Sequence, residues 1–251
     1  MTHHPSRGTV LVTGGSRGIG AEIVRLVAAA GHDVCFTYST RADAAQAVAA
    51  DVRAAGRQVA FMPADVGNAA SAQQVLSRIP ADLPPLVGLV NNAGITGPLG
   101  AFKDVSVDTM RSVLDVNVLG TMLFCQAVVR HWQAHSRPGC IVNISSIAAV
   151  TGSPGEYVHY AASKAAVEAF TVGLARELGA SGIRVNCVSP GTALTGIHAA
   201  AGEPDRPQRV AERIPMRRPA EAREIAEAVA WLLSDRASYV TGSVLKVAGG
   251  L

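Results

Sequence analysis

Tyr160 and Lys164 stand four residues apart at the start of a stretch with helical spacing, which puts a phenol and an ammonium on one helix face about a turn apart. A phenol with an ordinary pKa of about 10 exchanges protons poorly at neutral pH unless a cation stabilises the phenolate. Lys164 is such a cation, so the pair has the make-up of a tuned proton donor and acceptor, although the same spacing arises on any amphipathic helix. Tyr157 does not qualify, because the residue four further on is Ala161. Upstream, residues 140–144 read as a buried strand that delivers Ser145 and Ser146 to its C-terminal end, where open parallel sheets hold their ligands. A hydroxyl there either binds a carbonyl or alcohol oxygen or caps the strand. Asn117, in Val116-Asn117-Val118, is polar within an apolar stretch and must be hydrogen-bonded if buried; a water chain to Lys164 would supply partners.

A second group of residues suits phosphates. Thr13-Gly14-Gly15-Ser16-Arg17-Gly18-Ile19-Gly20 lies between a strand and a helix, so its glycines let the backbone turn tightly while the helix N-terminus offers free N–H groups and a positive dipole end. Glycines at such a turn also serve close helix-to-strand packing; the strand-first context favours a dinucleotide. An acid at the end of the second strand would accept hydrogen bonds from a ribose 2′-hydroxyl, but that end is Tyr38-Ser39-Thr40-Arg41, and Asp33 opens the strand instead. Arg17 and Arg41 are placed to neutralise a 2′-phosphate, which favours NADP(H) over NAD(H), or else are ordinary surface residues.

The elements that must position these groups alternate. Strands are expected over 9–13, 33–38, 58–62, 86–90, 140–144, 183–188 and 243–247, and helices over 18–30, 41–55, 69–78, from Ser106 toward His135, and 161–178. Gly31 and Gly56 end the first two helices, and Pro80, Pro84, Pro85 and Pro138-Gly139 break the chain. Near-continuous apolar strands with helices between them predict an α/β fold: a Rossmann-type, doubly wound parallel sheet in a single domain over 1–251, preceded by an N-terminal extension, 1–8. Residues 192–219, with Pro204, Pro207, Pro215 and Pro219, form the least regular stretch and are expected to be a substrate lid.

Composition bounds the alternatives. With 251 residues, 49% hydrophobic and 16% charged, the chain is neither disordered nor a coiled coil. The net charge of +3 is spread singly, which excludes a nucleic-acid surface. The cysteines Cys35, Cys125, Cys140 and Cys187 form no metal or redox pair. The first eight residues hold His3, His4 and Arg7 but no apolar signal region, and no apolar run reaches the roughly 20 residues needed to cross a bilayer; a cytoplasmic protein without membrane partners is expected.

As an ordered set, the Thr13–Gly20 turn, Asp65-Val66, Asn91-Asn92-Ala93-Gly94, Asn117, the serine pair, Tyr160-Ala161-Ala162-Ser163-Lys164 and Pro190-Gly191 with Thr195 resemble the compact short-chain dehydrogenase/reductase family, over nearly the whole chain. The resemblance implies Tyr160 as general acid/base, Lys164 lowering its pKa and holding the nicotinamide ribose, Asn117 in the proton relay, and Ser146, second of its pair, orienting substrate. It implies Gly14, Ser16, Arg17, Gly18, Ile19 and Gly20 at phosphates and ribose, Ser39 beside the adenosine ribose, and Asp65 and Val66 at the adenine. Asn92, Ala93 and Gly94 would lie along the cofactor, and Pro190, Gly191, Ala193 and Thr195 near the carboxamide and pyrophosphate.

Three positions depart from the family pattern. Ala193 stands where relatives carry Ile or Val, the fourteen residues from Ser146 to Tyr160 imply an extra residue in loop 152–159, and Ala248-Gly249-Gly250 replaces Asp-Gly-Gly. The implied reaction is hydride transfer between nicotinamide and a carbonyl or secondary alcohol. Loops 95–103, 148–159 and 194–215 show no charged cluster in sequence, which points to a modest neutral carbonyl substrate. A 3-oxoacyl-carrier-protein reductase is the nearest rival, with Arg130, Arg137 and Arg176 as scattered docking residues; a non-catalytic NADP(H) sensor is a second. Family members are usually homotetramers, compatible with the apolar, alanine-rich stretches 113–129 and 165–174.

Overall fold

The computed structural model describes residues 7–251, so His3, His4 and most of the N-terminal extension lie outside the described residues. Seven strands form one parallel sheet: β1 (Thr9–Thr13), β2 (Asp33–Tyr38), β3 (Val59–Pro63), β4 (Leu86–Asn91), β5 (Gly139–Ile144), β6 (Ile183–Pro190) and β7 (Val244–Val247). Their spatial order is β3-β2-β1-β4-β5-β6-β7, so the winding reverses between β1 and β4 and opens a crevice at the carboxyl ends there.

The sheet is covered on both faces, which is why its central strands carry uninterrupted apolar runs such as the wholly buried Thr-Val-Leu-Val-Thr of β1. On one side pack α1 (Gly18–Ala29), α2 (Ala42–Ala54) and α10 (Ala222–Leu233), contributing Ile23, Val48, Ile225 and Leu232 to a core with Val10, Phe36 and Val142. On the other lie α3 (Ser71–Ser77), α5 (Thr121–Ala134) and α7 (Val158–Leu178), with Val75, Phe124, Val128, Trp132 and Leu178 around Leu11, Leu89 and Ile141. Trp132 is fully buried and its indole N–H donates to the Leu86 carbonyl at 2.7 Å.

A short α4 (Val107–Leu114) runs through a π-helical turn, Asp115–Gly120, into α5, giving one helical run of 28 residues. By length and composition it is apolar enough to cross a membrane, contrary to the expectation from contiguous runs alone. Core packing accounts for the apolar character of one face: Phe124, Cys125, Val128 and Trp132 are sunk against the sheet. The π turn carries Asn117, and Gly120 within it allows a close approach, since a Cβ there would lie 2.5 Å from the Val66 carbonyl oxygen.

Boundaries moved where tertiary contacts extend an element. Helix α7 starts three residues before the expected 161, which draws Tyr160 inside it, and β6 runs on to Pro190. Helix α10 was not expected; its start is marked by the Glu221 N–H donating to the Glu224 carboxylate at 2.8 Å, and its buried face is Ile225, Ala226, Val229 and Leu232. Residues 192–219, expected to be a lid, leave and rejoin the body at a parallel bridge between Ala193 and Ala220, and contain α8 (Ile197–Ala200), α9 (Arg206–Val210) and a 3-10 turn, Ala211–Arg213. The loop after β5 holds α6 (Ala148–Thr151).

Replacing Trp132 by alanine should remove about 3–5 kcal/mol of stability through cavity formation and a stranded carbonyl. The measurement is a lower urea midpoint at unchanged slope; a loss under about 1 kcal/mol would mean that the core closes around the gap.

Candidate active site

The strand ends at the winding reversal are sewn together by the side chains that the motifs contain. Thr13 Oγ1 accepts the main-chain N–H groups of Asn92 and Ala93, each at 3.1 Å, while the Asn92 amide donates to the carbonyls of Thr13 at 3.1 Å and Gly14 at 3.0 Å. The glycine turn then needs its glycines for stated reasons. Gly14 and Gly18 have φ of 66° and 53°, and a Cβ on Gly20 would lie 2.2 Å from the Gly14 oxygen. Helix α1 starts beyond Arg17 with no side-chain cap and no acid in its first turn, so its N–H groups and dipole are left for an anion. This cradle fits a dinucleotide pyrophosphate.

From that turn a cleft of about 740 Å³ runs along the sheet's carboxyl edge. Gly14, Ser16, Arg17, Gly18, Ile19 and Gly20 line one end, with Ser39, Asp65 and Val66 beside them. Asn92, Ala93 and Gly94 continue the wall, and Pro190, Gly191, Ala193 and Thr195 face them from the end of β6 and the lid base. Gly191 is required there, because a Cβ would come within 2.8 Å of the Ala248 Cα. The Ala193 carbonyl, expected to serve a ligand through the backbone, accepts from His198 Nε2 at 3.0 Å. At the Ser39 end Arg17 is exposed on the cleft, whereas Arg41 lies outside it and is held by both oxygens of Asp43, at 2.9 and 2.6 Å. Of the two arginines, Arg17 is the one that lines the cleft.

At the other end sit Ser145, Ser146, Tyr160 and Lys164. Tyr160 is buried, which pushes its phenol up from the ordinary value; a hydrogen bond with Ser146 and the positive charge of Arg206 act in the opposite direction. Ser146 Oγ accepts the Ala148 N–H at 3.2 Å. Ser145 instead turns to α7, donating to Glu168 at 2.7 Å. Lys164 donates from Nζ to the Ile144 carbonyl at 2.8 Å and lies 5.7 Å from the Tyr160 ring centroid. Burial pushes the ammonium down to about 8, so it remains largely charged at pH 7.

Asn117 does not line the cleft. Its Oδ1 accepts the Ile95 N–H and its Nδ2 donates to the Ile95 carbonyl and to Ser163, all at 2.9 Å, so the side chain has protein partners on both of its atoms. It fixes the segment after Gly94, whose own Cβ would stand 3.2 Å from Asn117 Oδ1 and 3.3 Å from Lys164 Nζ.

One feature of the site had no sequence signal. Glu156, in the loop before α7, accepts from Arg206 and Arg209 of the lid, and Arg209 also pairs with Glu203. The substrate end therefore does hold a charged cluster, with two acids and two bases, contrary to the expectation for its loops. Glu156 and Arg206 stand 50 residues apart, in a loop and in the five-residue α9, and a pairing over that distance leaves no period to read.

Residues 14–251 match the family model described as enoyl-(acyl carrier protein) reductase. The chain is 44% identical to the uncharacterized oxidoreductase YgfF of Escherichia coli, covering 96% of this chain and 98% of that protein. It is 35% identical to the 3-oxoacyl-[acyl-carrier-protein] reductase FabG of Staphylococcus epidermidis, over 97% and 98% of the two chains. Among solved structures it superposes on a blue fluorescent protein from a metagenomic library in complex with NADPH, with a TM-score of 0.88, 37% identity and 98% of each chain covered. Sheet order, glycine cradle and full-length similarity agree: the chain belongs to the short-chain dehydrogenase/reductase family of oxidoreductases.

Proposed function

We propose that the protein interconverts a carbonyl and a secondary alcohol using NADP(H), with Tyr160 as general acid/base. The observation that carries this is the placement of Tyr160, joined to Ser146 and backed by Lys164, in the same cleft as the vacant-capped start of α1. When bound, the nicotinamide supplies or takes up the hydride. Tyr160 gives its phenolic proton to the substrate oxygen in reduction and recovers it in oxidation, and Ser146 holds that oxygen. Lys164, fixed by Ile144, is the donor for the ribose hydroxyls, and Asn117 keeps the wall beside it in register.

Gly14, Ser16, Arg17, Gly18, Ile19 and Gly20 would hold phosphates and ribose, Ser39 the adenosine ribose, and Asp65 and Val66 the adenine. Asn92, Ala93 and Gly94 would follow the cofactor, and Pro190, Gly191, Ala193 and Thr195 the carboxamide end. The preference for NADP(H) rests on Arg17, a cation on the cleft, and on the end of β2, where Tyr38 and Ser39 replace an acid; the solved relative in complex with NADPH supports it. Residues 192–219 act as the lid over the substrate end.

A carrier-protein-linked acyl substrate is a second reading, favoured by the name of the 35% identical relative; Arg130, Arg137 and Arg176 are exposed on the surface. The complete set of Ser146, Tyr160 and Lys164 favours catalysis over sensing. We place the enzyme in the cytoplasm, a reading supported by four free, buried thiols, and as a homotetramer, supported by exposed Leu114 and Leu119 on the long helical run.

Tyr160→Phe should lower turnover by roughly 10²–10⁴-fold while NADPH binding, followed by nucleotide fluorescence, stays unchanged; a variant as fast as the parent sinks the assignment. Because burial holds the phenol protonated at neutral pH, the rate of alcohol oxidation should climb as pH rises toward the phenol's ionisation, and a flat profile would contradict this. Arg17→Ala should weaken NADPH binding by about tenfold or more and leave NADH nearly untouched. Absorbance at the nicotinamide band, with both nucleotides against 2,3-butanedione, sugars, steroid ketones, acetoacetyl-coenzyme A and its carrier-protein thioester, separates the two substrate readings.

A further inference from the structure

The charged cluster at the substrate end has no part in the reaction as derived above, yet it is joined to the phenol by a chain of contacts. Arg206 is 9% exposed, and its guanidinium donates from Nε to Glu156 at 3.2 Å and again from Nη2. Arg209 donates to the other Glu156 oxygen at 3.0 Å. Removing a charge of this kind from water is costly unless the opposite charge goes with it, so Glu156 and Arg206 can be buried only together, with the lid seated.

The guanidinium carbon of Arg206 lies 5.2 Å from the centre of the Tyr157 ring, within the range where a cation is drawn to an aromatic face. Tyr157 in turn meets Tyr160 edge to face, with centroids 5.2 Å apart and planes at 84°. The two rings share a small separate core with Val113, Ala148 and Ala161. Two main-chain bonds close the same seam, from the Gly100 N–H to the Glu156 carbonyl at 2.9 Å and from the Leu99 N–H to the Ala201 carbonyl at 3.2 Å. The lid is thus held to the pocket wall through the stack that ends on Tyr160.

We propose that Arg206 is a positioning residue for proton transfer at Tyr160: clamped by Glu156, it braces Tyr157 against the Tyr160 ring and holds a guanidinium one ring away from the phenol. This rests on the reading of Tyr160 as the proton donor and acceptor. The charged and titratable groups around the phenol are Lys164 on its own helix, Arg206 from the lid with Glu156 and Glu203 behind it, Tyr157, His198 in the lid, and His159, whose Nε2 is engaged by the Thr96 carbonyl at 2.9 Å. Of these, Arg206 is the cation joined to the Tyr160 ring through a second aromatic ring.

The test is a tyrosinate absorbance titration of the cofactor-free full-length enzyme, taken as the difference from Tyr160→Phe in the same background. Arg206→Met should move the Tyr160 transition to higher pH, and Arg206→Lys should return it toward the parent position, with NADPH binding unchanged by fluorescence. Should Arg206→Met fold poorly because Glu156 is left unpaired, the double variant Glu156→Gln/Arg206→Gln removes both charges and should show the same upward displacement. A Tyr160 transition at one pH in the parent, Arg206→Met and double variants, or no resolvable transition below about pH 12 in the parent, overturns the proposal, because in either case the arginine's charge does not reach the phenol. Turnover surviving in Tyr160→Phe would instead overturn the reading of Tyr160 and leave the titration result standing.

Discussion

An ammonium buried in a protein must meet an oxygen or lose its proton, and the Lys164–Ile144 hydrogen bond answers that requirement in this molecule. The acceptor is the last residue of β5 and the donor lies in the second turn of α7, so the bond ties strand end to helix. With that tie in place, Tyr160, one turn before Lys164, comes to the same strand end that carries Ser146. Tyr160, Lys164 and the strand end that leads to Ser146 are therefore brought together by a contact between a core strand and the helix that packs on it.

The cofactor end obeys a different constraint, that of close backbone approach. Thr13 and Asn92 bind β1 to the end of β4, where the winding reverses, and glycines keep the space in front of α1 free of side chains. Two unrelated physical demands, desolvated charge at one end and unobstructed main chain at the other, are met along a single edge of the sheet. That edge is continuous because the strands are parallel and all finish on the same side.

Much of this arrangement was legible in the sequence, for identifiable reasons. Buried strands such as 33–38 read correctly to the residue because both of their faces must be apolar, and the glycine turn was legible because position after a strand and before a helix gives a glycine pattern its meaning. Helix α10 was missed although its apolar face and its Glu221–Glu224 start were present; those are local signals. The start of α7 and the partners of Asn117 depend on the packing of α7 against the π turn, which no local pattern encodes. Arg41 pairs with Asp43, two residues on, a local contact that the sequence reading did not weigh. Glu156 and Arg206 meet only because a loop and the five-residue α9 fold toward each other, the kind of contact that periodicity does not reveal.

The Ala193–Ala220 bridge joins the two ends of the lid side by side, like the neck of a bag. Whatever the chain does beyond that neck, it re-enters the body at the same point and in the same direction. Thr195, on the cleft, and Arg206, against Tyr157, both lie beyond that neck, so a foreign segment spliced across it must supply their contacts anew.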